Sequence, residues 1–277
     1  MKKWSQHSGW SIVSVVAVML MGLVLTTACE GEAGQGATSG TVLTIAAASD
    51  LRFAMEELID DFQSRRPSEK DRAEIRVTYG SSGNFFAQIA HRAPFDLYLS
   101  ADVMYPQKLI EQEAALPESL FEYAIGRIVI WVPEGSPIDV EQERWDALKS
   151  PHTRRVAIAN PDHAPYGQAA VAAMKNANIF DEVKDKFVVG ENIAQTAQFI
   201  DSRGAEIGII ALALAVAPAM EGRGQYWEIP VDYFPTMVQG GVITKSARDV
   251  ELAEEFRAYL LSDPGQSILE DYGFFLP

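Results

Sequence analysis

One stretch decides the fold class: VLTIAAASDLRFAMEELIDDF, residues 42–62. Its first part, Val42–Ala48, is a continuous apolar run, which is typical of a strand that is covered on both faces. From Leu51 to Phe62, apolar residues then recur at the spacing of one helix face. The stretch therefore predicts a strand that is followed directly by a helix.

The same alternation continues along the chain. Further strand candidates are the segments 74–79, 96–100, 125–132, 155–159, 186–189, 207–212 and 238–244, and helical spacing occurs in 85–89, 167–176, 194–202 and 247–261. Repeated alternation of strands and helices predicts an α/β protein with mostly parallel sheets. A chain of 277 residues is long enough for two domains that each bury a core.

Composition and charge exclude several classes of protein. Hydrophobic residues make up 48% of the chain and charged residues 22%, an ordinary globular composition that excludes collagen, coiled coil and disorder for most of its length. There are 23 basic and 38 acidic residues, a net charge of −15, so nucleic acid is not an expected partner. A single cysteine excludes an internal disulfide framework and a CxxC zinc site.

The first forty residues have the pattern of a targeting segment. Two lysines precede an apolar run over 12–25, which is short for a membrane span and predicts a secretory signal peptide over 1–28. The residues that end at Cys29 resemble the lipobox of bacterial lipoproteins, which predicts a lipid anchor on this cysteine. The segment 29–40 is rich in Gly, Ser, Thr and Ala and predicts a flexible tether. The chain is thus expected in the periplasm or on the outer face of the membrane. The alternative is an ordinary cleaved signal with an incidental cysteine.

Four predicted junctions between a strand and a helix carry small or hydroxyl residues: 48–50, 80–84, 164–168 and 190–194. The N–H groups at a helix start have no intrahelical partner, and together with the helix dipole they favour anions. Taken singly, such residues are ordinary N-caps and turns. The segment Gly80-Ser81-Ser82-Gly83 exceeds what a cap requires, because its glycines allow a close backbone approach beside two hydroxyls. The four junctions together predict a cradle for an anion.

Five stretches carry a resemblance to a known family: IAAASDL at 45–51, YGSSGN at 79–84, APFDLYLSAD at 93–102, NPDHAPYG at 160–167 and GENIAQT at 190–196. They resemble the molybdate-binding proteins of bacterial ABC transporters, which belong to the type II group of two-domain periplasmic binding proteins. The resemblance covers about 41–277. It implies two lobes with a ligand cleft between them. Lobe 1 would consist of 41–124 plus 237–277, and lobe 2 of 125–236.

The family also implies a set of ligand-binding residues. Ser49 and Ser82 would donate hydroxyl and amide hydrogen bonds from lobe 1. Tyr166 and Ile193 would donate mainly backbone amides from lobe 2, with the Tyr166 phenol as a further donor. Asp50 would lend an amide, and its carboxylate is expected to turn back and cap its own helix, because it would otherwise repel the anion.

The resemblance further implies the ligand and the partner. Molybdate or tungstate would be held through its oxygens by these same residues, with no cofactor, and a monomeric chain would deliver it to the transporter permease. Some family members have a tyrosine where this chain has Ala211, so the number of donors stays open. Another oxyanion, such as sulfate or phosphate, is the alternative ligand.

An enzyme is the alternative from another class. The sequence has no GxSxG nucleophile elbow, no P-loop and no HExxH motif. We therefore expect a binding protein rather than an enzyme.

Overall fold

Two five-stranded sheets organise the computed structural model, which describes residues 42–67 and 72–277. The strands are β1 (Val42–Ala48), β2 (Glu74–Gly80), β3 (Leu97–Ser100), β4 (Phe121–Gly126), β5 (Ile128–Pro133), β6 (Val156–Ala159), β7 (Phe187–Gly190), β8 (Ile207–Ala211), β9 (Gly224–Glu228) and β10 (Met237–Ile243). The predicted signal peptide, the predicted anchor at Cys29 and the predicted tether lie outside the described residues.

Ten α-helices occur among the described residues: α1 (Ala54–Ser64), α2 (Ser82–Ala90), α3 (Met104–Glu111), α4 (Val140–Glu143), α5 (Pro165–Asn176), α6 (Phe180–Val183), α7 (Ile193–Asp201), α8 (Leu212–Ala215), α9 (Val250–Leu260) and α10 (Asp263–Asp271). The described part of the chain contains no helix that is long and apolar enough to cross a membrane. The predicted strand–helix unit is confirmed, with one addition. A short 3-10 turn, Ser49–Arg52, separates β1 from α1.

The two sheets have the same plan. The strand order is β2-β1-β3-β10-β4 in the first sheet and β7-β6-β8-β5-β9 in the second. In the first, β1 is parallel to β2 and β3, and β10 is antiparallel to β3 and β4. In the second, β6 is parallel to β7 and β8, and β5 is antiparallel to β8 and β9.

The α/β class and the two lobes are confirmed, but the sheets are less parallel than the sequence indicates. Half of the strand pairings are antiparallel, because each sheet takes in strands at which the chain crosses from one sheet to the other. The first crossing separates β4 from β5 at Arg127, so the predicted strand 125–132 is in fact parts of two strands. The second crossing lies between β9 and β10. The domain boundaries of the sequence analysis stay a prediction.

Each sheet has its own apolar core. In the first, Leu43 and Ile45 of β1 pack with Leu58 of α1 and Phe256 of α9, all with no exposed surface. In the second, all of β5 is buried. Burying one such side chain contributes about 1.5–3 kcal/mol to the free energy of unfolding. The two cores therefore hold the strands, and the loops at the strand ends, in fixed positions.

Candidate functional site

Four helical N-termini meet at one small cavity. They are the first turns of the 3-10 turn Ser49–Arg52 and of α2, α5 and α7, which follow β1, β2, β6 and β7. The cavity has a volume of about 10 Å³ and is lined by Ala48, Ser49, Asp50, Gly80, Ser81, Ser82, Ala101, Ala164, Pro165, Tyr166 and Ile193. A volume of this size takes about one water-sized group, so only a small ligand fits between these elements.

The residues predicted from the sequence are all at this cavity. Ser49, Asp50, Ser82, Tyr166 and Ile193 line it, and each exposes 3% or less of its surface. Parallel pairing explains the convergence, because the carboxyl ends of β1 and β2 lie at the same edge of one sheet and those of β6 and β7 at the same edge of the other. That these residues bind a ligand stays a prediction.

The electrostatic character of the cavity comes from dipoles rather than from cations. No lysine or arginine lines it. Backbone N–H groups in a first helical turn have no intrahelical partner, and the helix dipole places partial positive charge there. The arrangement therefore favours an anion through neutral donors.

The two serine hydroxyls have different partners. Ser49 Oγ donates to Asn192 Oδ1 at 3.1 Å and accepts from the Ala194 N–H at 3.2 Å, so it joins the first lobe to α7. Ser82 Oγ accepts from the Ala101 N–H at 3.0 Å, and its own proton has no partner among the described residues. Ser82 thus keeps a hydroxyl donor for a ligand.

Asp50 does not cap its own helix. Its Oδ1 makes no hydrogen bond to a backbone N–H of the turn Ser49–Arg52. Instead, Asp50 Oδ2 accepts from Tyr166 Oη at 2.8 Å and from Gln239 Nε2 at 2.7 Å. The expectation of a cap is wrong because the carboxyl is buried, at 1% exposure, where donors from two other elements replace water.

The Tyr166 phenol is therefore used within the protein. A phenol has one proton to donate, and this one goes to Asp50. Gln239 Nε2 also donates to Tyr166 Oη, at 3.0 Å. The phenol proton is thus committed to Asp50, and the Tyr166 amide is the donor that remains for a ligand.

Burial dominates the ionisation of this group. It raises the pKa of Asp50, whereas hydrogen bonds from Gln239 and Tyr166 and, after them, the nearby backbone N–H groups of Asp50 and Leu51 lower it. Burial also raises the pKa of Tyr166 well above its usual value, and the charge of Asp50 adds to that shift. A neutral carboxyl is therefore easier to form at Asp50 than at an exposed aspartate.

The lobes approach each other closely at the rim of the cavity. The Gly83 N–H on α2 donates to the backbone oxygen of His163 at 2.8 Å, and Ser81 Oγ lies 2.8 Å from His163 Nδ1. A Cβ atom at Gly83 would lie 2.7 Å from the same His163 oxygen. The second glycine of the Gly-Ser-Ser-Gly segment is thus required by the opposite lobe.

Sequence reasoning missed Gln239 at this site, and it included Asn192 only as part of the junction 190–194. Gln239 is fully buried in β10, and a lone amide within an apolar strand was the available signal. Asn192 caps α7 by accepting from the Gln195 N–H at 3.0 Å, and the same oxygen accepts from Ser49. Within the described residues, no group of three or more His, Cys, Asp or Glu side chains is placed to hold a metal ion.

Comparison with known proteins identifies the class. Residues 43–275 match the family described as bacterial extracellular solute-binding protein, and the chain belongs to this family. It is a family of transport proteins that bind solutes, not a class of enzymes.

Three relatives are more specific. The chain is 31% identical to the molybdate-binding protein ModA of Rhodobacter capsulatus, over 75% of this chain and 79% of that protein. It is 29% identical to ModA of Azotobacter vinelandii, over 96% of this chain and 99% of that protein. The solved structure of the Azotobacter vinelandii periplasmic molybdate-binding protein superposes with a TM-score of 0.77 at 31% identity, covering 85% of this chain and 99% of that one.

Proposed function

We propose that this chain is the molybdate-binding protein of a bacterial ABC transporter and works outside the cytoplasmic membrane. The observation that carries the proposal is the convergence of four helical N-termini on one small cavity without a cation. The relatives from Rhodobacter capsulatus and Azotobacter vinelandii are molybdate-binding proteins by name, which supports the same ligand here.

Neutral donors are sufficient for a dianion in this setting. Charge-assisted hydrogen bonds contribute about 1.5–3 kcal/mol each, so about six of them give roughly 9–18 kcal/mol before the costs of ordering and closure. A net value of about −8 to −12 kcal/mol corresponds to micromolar to nanomolar binding. The acidic surface has little effect, because salt screens exposed charges over about 8–10 Å.

The ion would be held through its oxygens, with no bond between its metal atom and the protein. Ser82 would donate its hydroxyl and its amide, and Ser49 and Asp50 would donate amides from the first lobe. Tyr166 and Ile193 would donate amides from the second lobe. Because donors come from both lobes, binding would favour the arrangement in which the lobes meet. The domain boundaries of the sequence analysis would be those of the moving lobes.

Tungstate is proposed as a second ligand, since it is similar to molybdate in size and charge. Sulfate is smaller and would leave some donors without a partner, and each loss costs about 1–3 kcal/mol. We therefore infer weak binding of sulfate. The protein would catalyse no reaction and would act as a monomer that hands the ion to the permease.

We propose that the N-terminal segment directs the protein out of the cytoplasm and attaches it to the membrane. Residues 1–28 would be the signal peptide, Cys29 the acylated residue, and 29–40 the tether that lets the lobes reach the permease. Metabolic labelling with a fatty acid, with Cys29→Ser as control, would test the anchor.

Calorimetric titration with molybdate, tungstate, sulfate and phosphate tests the function. We expect tight binding of the first two alone. Affinity should fall in a variant that combines Ser82→Ala, which removes a hydroxyl donor to the ion, with Ser49→Ala, which removes the hydrogen bond between the first lobe and α7. A preference for sulfate or phosphate would keep the fold and overturn the ligand.

A further inference from the structure

Asp50 is the feature of the cavity that the proposed function does not account for. It lines the cavity and is 1% exposed. Its Oδ2 accepts two hydrogen bonds, whereas its Oδ1 is buried with no partner among the described residues. An ionised carboxylate at the wall of a site for a dianion would repel the ligand, and a buried acceptor without a donor is costly.

The hydrogen bonds around Asp50 determine which of its carboxyl oxygens has no partner. Tyr123 Oη lies 2.9 Å from Gln239 Oε1 and 3.1 Å from the Ser100 carbonyl oxygen, and Gln239 Nε2 donates to Asp50 Oδ2 at 2.7 Å. Tyr166 Oη donates to the same carboxyl oxygen. Both donors therefore act on Oδ2, and Oδ1 is the atom that a proton can occupy.

Among the described residues, the groups that act on the Asp50 carboxyl include no cation that would stabilise its ionised form. Tyr166 on α5 and Tyr123 on β4 are its titratable neighbours, and the pKa of each is raised, first by burial and then by the charge of Asp50. Gln239 on β10 is neutral. At the rim, His163 contacts Ser81 Oγ at 2.8 Å and lies 3.4 Å from Glu191 Oε2.

We propose that Asp50 is protonated on Oδ1 when the cleft holds its oxyanion, and that this O–H donates a hydrogen bond to a ligand oxygen. The inference rests on the proposed function and deepens it. The proton comes from solvent, so each binding event at a pH where the free protein has Asp50 ionised takes up one proton. Affinity then falls about tenfold for each pH unit above the pKa of Asp50 in the free protein.

Such a contact would also make the site selective among tetrahedral anions. A protonated carboxyl donates to a fully deprotonated oxyanion such as molybdate. An ionised carboxyl would instead accept from an anion that carries its own proton, as phosphate does near neutral pH. The protonation state of Asp50 thus separates two classes of tetrahedral anion.

Infrared spectroscopy of the molybdate-loaded protein tests the inference. We expect the carbonyl band of a protonated carboxyl, which moves when the aspartates carry ¹³C and disappears in Asp50→Asn. The matched control is Asp96→Asn, since Asp96 is the other buried aspartate of the described residues and should be ionised. If Asp50→Asn fails to fold, the ¹³C shift in the unmutated protein still decides whether a buried aspartate is protonated.

Calorimetry supplies the second measurement. Titrations with molybdate in two buffers of different ionisation enthalpy should show uptake of about one proton at a pH where the free protein has Asp50 ionised, and about none in Asp50→Asn, whose amide can donate to the ion at every pH. The variant keeps His163, so any pH dependence that it retains belongs to other groups.

The infrared and calorimetric results separate the inference about Asp50 from the proposed function. Tight molybdate binding together with the protonated band supports the inference. Tight binding with aspartates that are ionised throughout overturns it and leaves the proposed function intact. Absence of molybdate binding at every pH overturns the proposed function itself, and preferential phosphate binding with an ionised Asp50 overturns both.

Discussion

Gly83→Ala should block the approach of the two lobes without harming either one. The added Cβ would lie 2.7 Å from the backbone oxygen of His163 and 2.9 Å from its Cα. Ordinary contact for such atoms begins at 3.4 Å, so the lobes would have to separate by roughly 0.7 Å, the difference between 3.4 and 2.7 Å. The Gly83 N–H bond to the same oxygen would also lengthen beyond its 2.8 Å.

The magnitude follows from the donors of the second lobe. A hydrogen bond of about 2.9 Å that is stretched by roughly 0.7 Å is no longer a hydrogen bond. If the amides of Tyr166 and Ile193 both lose contact with the ion, the loss is about 3–6 kcal/mol. Affinity for molybdate should therefore fall by roughly two to four orders of magnitude.

Calorimetric titration measures this loss, and thermal unfolding without ligand provides the control. Gly83 lies in α2, where alanine is favoured over glycine by about 1 kcal/mol, so the variant should unfold no earlier than the unmutated protein. Asn84→Ala is the matched variant, because Asn84 is the next residue of α2 and is exposed. Molybdate binding by Gly83→Ala within about threefold of the unmutated protein would refute the reasoning.

Three further predictions concern Tyr166, Arg52 and Asp96. Tyr166→Phe removes the hydrogen bond that joins the second lobe to Asp50 Oδ2 of the first and should weaken molybdate binding about tenfold by calorimetry, whereas a loss beyond about a thousandfold would mean that the phenol contacts the ion. Arg52 is exposed and lies with Ser49 along an open groove beside the cavity. Arg52→Gln should slow molybdate association several-fold in stopped flow at low salt and leave dissociation unchanged, and an effect that persists at high salt would contradict this role in steering. Burial acts to raise the pKa of Asp96, but hydrogen bonds from Thr44 and Arg248 outweigh it and the pKa is lowered. Because the folded pKa is the lower one, the stabilisation is present above the unfolded pKa of about 4 and is lost as pH falls through the folded value. Thermal unfolding of the unmutated protein should thus lose more stability than that of Asp96→Asn on acidification, and parallel pH profiles would count against the account.

Local sequence patterns were sufficient where structure depends on neighbouring residues. The run Val42–Ala48 with the helical spacing after it predicted β1 and α1, because burial on both strand faces and on one helix face leaves a direct periodic trace. The junction residues predicted the cavity for a related reason. Each junction is local, and parallel pairing of the strands before it brings the junctions to one edge.

Patterns failed where long-range pairing decides the outcome. The segment 125–132 is apolar except at Gly126 and Arg127, and one glycine and one charged residue in an apolar run do not by themselves predict a change of sheet. The direction of the Asp50 carboxyl depends on Gln239, a residue 189 positions away in sequence. Because capping is a local option and the buried network is not, sequence reasoning favoured the cap.

The central claim is that four helical N-termini hold one molybdate ion in the cavity between the lobes. The most direct measurement is a crystal structure of the protein grown with molybdate, with anomalous diffraction recorded at the molybdenum edge. The account predicts one strong anomalous peak inside the cavity, with ligand oxygens within hydrogen-bond distance of the amides of Ser82, Tyr166 and Ile193. A peak elsewhere, for example in the arginine-lined groove of Arg154, Arg155 and Arg203, with none in the cavity, would contradict it.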